Sequence, residues 1–205
     1  MPNPNEPPGG HASLEVEERA LKKGRGRMVA GMAVAGVGAV AALVLYMASG
    51  GDEAHAQFGR QVNGLDQGTY DAFWGCVMQG YDLSRLRSDQ DLRSELHQRA
   101  EQGRDRFGAH VRDECMPRLA ELEPELERLV PPEGMGPPLR DLTGAVKQLR
   151  GSFSDFVAHL DGLDEEEPYD REAASEPVGR IAKAWYDYSV ALSELNARLK
   201  QELEG

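Results

Sequence analysis

Few residues in this chain are of types that do chemistry, and the cysteines come first. Cys76 and Cys115 are its two cysteines. They form no CxxC pair, and no basic residue adjoins either one to lower a thiol pKa, so redox catalysis is not the expectation. In an oxidising compartment two thiols of one small domain are expected to join. Both fall on apolar faces of helices that would be neighbours in a bundle. Such a bridge closes a loop of about 40 residues and stabilises by about 4 kcal/mol through loop-closure entropy. Two buried free thiols are the alternative.

The histidines offer less. His55, His97, His110 and His159 lie beyond residue 50, with no HExxH and no i,i+4 pair among them. His110 and Cys115 would share a zinc ion only with a ligand from far along the chain, so neither a metal nor a cofactor is expected. Asp164 to Glu167 is a dense anionic run that lacks the alternating ligands and turn glycine of a calcium loop, and it reads as a solvated loop. There is no GxSxG, no P-loop and no defensible carboxylate pair, so no catalytic residue is assigned and an enzyme is not expected. The aromatics suggest one further site. Trp74, Tyr81, Trp185, Tyr186 and Tyr188 fall on two helices that would pack together, and bundle interiors host small apolar ligands. Core packing accounts for four of them, whereas Tyr186 lies off the apolar seam of its helix and needs another explanation.

The elements that would position these residues read as helices. Beyond residue 51 apolar residues recur at steps of three and four, with no strand alternation. Ala54, Phe58, Val62 and Leu65 begin a first helix, interrupted or bent near Asn63-Gly64, which continues as an aromatic stripe through Tyr70, Phe73, Trp74, Val77 and Tyr81 and ends near Gly80. Ser88 is placed to cap a second helix carrying Leu92, Leu96 and Ala100, with Gly103 as a stop or weak point. Phe107 to Leu129 forms a third, in which Pro117 and Pro124 predict a kink or break. After a Pro/Gly-rich loop at Pro131 to Pro138, two seams follow without a fault. One runs from Leu139 to Leu163, and the other from Val178 to Leu199, with Ser175 as its cap and Pro177 in the first turn. The fold class expected is an all-α, up-and-down bundle of four to five helices with coiled-coil-like packing. Pairing of the last helix between two molecules is the alternative.

Before this domain stands a different composition. Residues 1–27 form a Pro-rich, then basic leader expected to be disordered and cytoplasmic. Residues 28–50 contain the uncharged run from Met28 to Met47, long enough for a membrane-spanning helix at about 1.5 Å per residue. Lys22, Lys23, Arg25 and Arg27 precede it and Asp52 and Glu53 follow, so the positive-inside rule places residues 51–205 outside the cytoplasm. A signal peptide cleaved near Ala54-His55-Ala56, leaving a secreted bundle, is the alternative. The GxGxxA spelled by Gly36, Gly38 and Ala41 lies within that apolar run and lacks the strand and acidic residue of a dinucleotide loop.

Charge divides the same way. The chain carries −12 overall, and residues 1–50 hold five basic against four acidic side chains, leaving −13 on the remaining 155. An acidic body excludes nucleic acid as the partner, because phosphate binding needs concentrated Lys and Arg. Arg outnumbers Lys 18 to 5 and Ile181 is the one isoleucine, as in a GC-rich bacterial genome. These readings converge on a single-pass inner-membrane protein, N-terminus cytoplasmic, whose acidic periplasmic bundle is a structural or interaction module. Its expected partners are the membrane and a protein of the cell envelope, with self-association left open. A small-molecule-binding sensory bundle working through a membrane partner is the competing function.

Overall fold

A computed structural model describes residues 53–86, 88–164 and 167–204. The chain there folds as four helical rods. The first is helix α1 (Glu53–Tyr70), which continues into a π-helical turn at Asp71–Val77. A short 3-10 turn at Leu83–Arg85 leads to the second rod, made of α2 (Asp89–His110), a second π-helical turn (Val111–Cys115) and α3 (Met116–Arg128). Helices α4 (Gly136–Asp161) and α5 (Ser175–Glu204) are the third and fourth.

The apolar seams explain why the rods assemble. Two core layers are stacked along the bundle. In one, Leu149, Phe153 and Phe156 from the second half of α4 meet Val178, Ile181 and Ala184 from the start of α5, together with Phe73, Val77, Leu96, Val111 and Leu119. In the other, Leu139, Leu142 and Val146 from the start of α4 meet Leu192, Leu195 and Leu199 from the far end of α5, with Phe58, Val62 and Leu126. The start of each of these two helices therefore lies beside the end of the other, so α4 and α5 are antiparallel. The apolar α5 stripe is buried within its own chain, against α4 and the first two rods. A side chain such as Phe153 or Leu195, wholly removed from water, contributes about 1.5–3 kcal/mol of apolar transfer.

Several local expectations change, the first being that α1 runs without interruption through Asn63 and Gly64. The second and third expected helices form one rod. Gly103 does interrupt it, with extended dihedrals (φ 172°, ψ 75°) inside α2. The second irregularity precedes Pro117, which lies in the first turn of α3, while Pro124 is carried inside the same helix. Pro117 has no N–H to give the carbonyl four residues back, and the π-helical turn over Val111–Cys115 sits where that bond is missing. Ser88 does not cap α2 with its side chain; its hydroxyl donates to Asp91 Oδ2 at 3.1 Å. Ser175 is the first residue of α5 rather than its cap.

The expected membrane architecture is corrected. The leader (1–27) and the span (28–50) lie outside the described residues, and among the described residues no helix is long and apolar enough to cross a membrane. The described helices each carry a charged face, as Lys147, Arg150 and Asp155 do on α4. What stands is an all-α bundle with no membrane-crossing helix among the described residues; single-pass topology, inner-membrane localisation and a membrane-anchored envelope function are not supported.

Candidate functional site

Both cysteines sit in the two π-helical turns, and these turns bring them together. Cys76 and Cys115 are joined by a disulfide with Cα atoms 5.6 Å apart. The first turn is closed by a bond spanning five residues, from the Met78 N–H to the Phe73 carbonyl at 2.9 Å. Both cysteines are buried in the layer that holds Phe73 and Phe153.

His110, the last residue of α2, lies against this bridge. Its Nε2 is 3.5 Å from Cys115 Sγ, 3.8 Å from Cys76 Sγ and 3.2 Å from the Cys76 carbonyl oxygen. Its Nδ1 is 3.3 Å from Glu114 Oε2. The imidazole thus faces two sulfurs with one nitrogen and a carboxylate with the other. A cleft of about 640 Å³ opens beside the cluster, with Cys76, His110, Asp113 and Glu114 among its walls. The one metal-ligand triad among the described residues is Cys76, His110 and Cys115. Sequence spacing concealed it because residues five apart on a regular α-helix are rotated by about 140°. Only the π-helical turn puts His110 on the cysteine side.

The aromatic residues singled out in the sequence separate into two groups. Trp185 stacks on Phe73 with centroids 4.2 Å apart, and Trp74 meets Trp185 edge-on at 5.3 Å. Tyr81 stacks on Trp74 at 6.2 Å and Tyr188 tilts against Trp185 at 5.3 Å. Four of the five therefore form one aromatic chain against the core. Tyr186 is the exception, 46% exposed. It lines a groove of about 670 Å³ between the first turns of α2 and α5, and Trp185 forms part of the same wall.

The rest of that groove combines an apolar floor with cations. Leu86, Leu92 and Ala182 contribute carbon surface, and Arg93, Arg180 and Lys183 stand with Asp89 and Glu176 around it. Arg93 pairs with Asp89 at 3.2 Å, while its Nε is buried without a hydrogen-bond partner. Gly179 makes room for this guanidinium, since a Cβ there would lie 3.1 Å from Arg93 Nη1. Arg180 pairs with Glu176 at 2.6 Å and Lys183 with Asp187 at 2.5 Å. Sequence reasoning missed these cations because basic residues on the polar face of a helix read as solvated.

Two buried polar pairs frame the bundle. Tyr188 donates its hydroxyl to Asp66 Oδ1 at 2.5 Å. Burial raises both groups, the Tyr188 hydroxyl well above its ordinary value and the Asp66 carboxyl above 3.8, although the bond from Tyr188 offsets part of the rise in Asp66. The hydroxyl of Tyr169, in the segment between α4 and α5, is hydrogen-bonded to His97 Nδ1 at 2.6 Å. Burial first, then the Arg171 cation, holds His97 below 6.5, and burial pushes Tyr169 up to about 12, so both groups are neutral near pH 7. No protein-family model, curated protein or solved structure matches the chain.

Proposed function

We propose that the bundle is a non-catalytic binding module whose groove between the first turns of α2 and α5 holds a small molecule with an apolar body and an anionic head. The observation that carries this reading is the groove itself. Trp185, Tyr186, Leu86 and Leu92 meet there beside an arginine whose Nε is buried without an acceptor. A volume of about 670 Å³ suits a small ligand, and ligand sites combine mostly apolar walls with a few placed polar groups. A buried donor left unpaired is costly, so an acceptor arriving with the ligand gains what the empty groove forgoes. Arg180 and Lys183 are held by Glu176 and Asp187, so the Arg93 Nε, rather than an excess of positive charge, is what favours an anionic head at this place.

Fluorescence tests the reading, because Trp74 and Trp185 are the two tryptophans. In a Trp74→Phe background, emission reports Trp185 alone. Decanoate is expected to shift it saturably, with decanol at least about tenfold weaker, the loss of one charge-assisted hydrogen bond. Arg93→Met is expected to bring decanoate down to the affinity of decanol. No saturable shift with either probe overturns the groove as a site. Equal affinity for the two probes overturns the anionic head.

A further inference from the structure

We propose that Cys76, Cys115 and His110 form a redox-gated site for a thiophilic divalent cation of the zinc class: crosslinked the site is closed, and reduced it binds the ion. The argument is geometric and independent of the groove. A tetrahedral zinc with Zn–S near 2.3 Å and Zn–N near 2.0 Å sets its ligand atoms about 3.5 Å apart for sulfur and nitrogen and about 3.8 Å for two sulfurs. His110 Nε2 already stands 3.5 and 3.8 Å from the two sulfurs. Only the sulfurs must part once their bond is reduced, by rotation of the two side chains.

The surroundings fit the same ion. Two thiolates neutralise its charge, which a buried site demands. Glu114 faces Nδ1 at 3.3 Å, the position from which a carboxylate fixes the tautomer of a metal-bound histidine and raises its basicity. In the crosslinked protein Nε2 sits 3.2 Å from the Cys76 carbonyl, a contact suited to an N–H. Metal binding needs that nitrogen bare and the proton on Nδ1, facing Glu114. The fourth position falls to water or to Asp113, which lines the adjoining cleft.

The chemistry balances with a dithiol as reductant. One thiolate of the dithiol attacks a sulfur of the bridge and its second thiol resolves the mixed disulfide. Two electrons pass to Cys76 and Cys115, and the dithiol leaves as its own disulfide. The cation then displaces two thiol protons to form two metal–thiolate bonds. Oxidation by a disulfide reverses the sequence and expels the ion.

The test is a cobalt(II) titration of the full chain, oxidised and after reduction with a phosphine that does not chelate metals. Helicity is followed by circular dichroism throughout. The reduced protein is expected to bind one equivalent with thiolate-to-cobalt charge transfer and intense tetrahedral d–d bands, and the oxidised protein to show neither. His110→Ala is expected to weaken binding more than about tenfold, and Glu114→Gln about tenfold, the usual effects of losing a ligand and its orienting partner. If reduction unfolds the chain, restoration of helicity by cobalt supports the site, whereas binding without refolding overturns it. Absence of charge transfer, equal binding by the oxidised protein, or unchanged affinity in His110→Ala each overturns it as well.

Discussion

Reduction of the Cys76–Cys115 bridge is the perturbation whose magnitude follows most directly from the fold. The bridge spans a sequence separation of 39 and ties the first rod to the second within one core layer. Fixing the ends of such a loop removes about 13 cal/mol/K of entropy from the unfolded chain, or about 4 kcal/mol at 25 °C. In the native state reduction asks only that the two thiols rotate apart within their layer, so most of this effect resides in the unfolded state. Domains of this size hold about 5–15 kcal/mol in total, and each kcal/mol moves the midpoint of thermal unfolding by about 2–4 °C. The reduced wild-type protein, kept free of metal by a chelator, is therefore expected to fold but to melt about 8–16 °C lower. Urea unfolding followed by far-ultraviolet circular dichroism supplies a second signature. The crosslinked unfolded chain is more compact, so the slope of stability against urea is expected to rise on reduction. A shift worth less than about 1 kcal/mol with an unchanged slope would refute the reasoning, because the two rods would then be held together in the unfolded chain without the bond. Cysteine-to-serine variants are a poorer test, since they bury hydroxyls where Cys76 and Cys115 are at most 3% exposed.

Other perturbations probe the remaining layers. Because burial raises the Asp66 carboxyl, its contribution to stability is full below pH 3.8 and is lost as pH rises through the raised native value. Asp66→Asn, which keeps an acceptor for Tyr188, is expected to gain on wild type between acid and neutral pH in urea titrations. Asp66→Ala is expected to lose about 1–3 kcal/mol through the orphaned hydroxyl. His97 has the opposite sign: held below 6.5, it stabilises above that pH, and the contribution is lost as pH falls through its lowered native value. Melting temperatures of His97→Gln and wild type, compared at about pH 7.5 and 5, are expected to show a smaller acid loss in the variant, and an equal loss would contradict this. Phe153→Ala removes a ring with no exposure from the layer around the disulfide and is expected to cost about 3–5 kcal/mol by urea denaturation.

The rods were legible because their chemistry is periodic. The steps of three and four along α4 and α5 require each stripe to be covered, and the observed layers follow them from Leu139 to Leu160 and from Val178 to Leu199, while Leu163 falls beyond the end of α4. The bridge was legible for a related reason: the two cysteines fall on apolar faces of neighbouring rods, where they can meet. What escaped was anything depending on a departure from regular helix. His110 and Cys115 look unrelated at 3.6 residues per turn, and the turn that joins them reflects Pro117 and packing against Phe107 and Leu119 rather than a propensity of Val111 to Cys115. The groove was half legible. Tyr186 stood out as an aromatic off its seam, but Arg93 and Arg180 gave no sign that a guanidinium nitrogen would be buried. The charge pattern that placed a membrane span before the bundle concerned residues 28–50, and no described helix repeats that composition.

The two π-helical turns bear on how this chain tolerates change in length. Each accommodates one more residue than an α-helical turn would, and a residue added to or removed from a helix rotates everything beyond it by about 100°. Within the stripes of α4 or α5 such an indel would swing every following leucine out of its layer. At Asp71–Val77 or Val111–Cys115 the phase is already interrupted, so a single-residue deletion has a place to be absorbed. Sequences descended from a common ancestor with this one should therefore place their helix gaps at these two turns, with the apolar phase intact on either side.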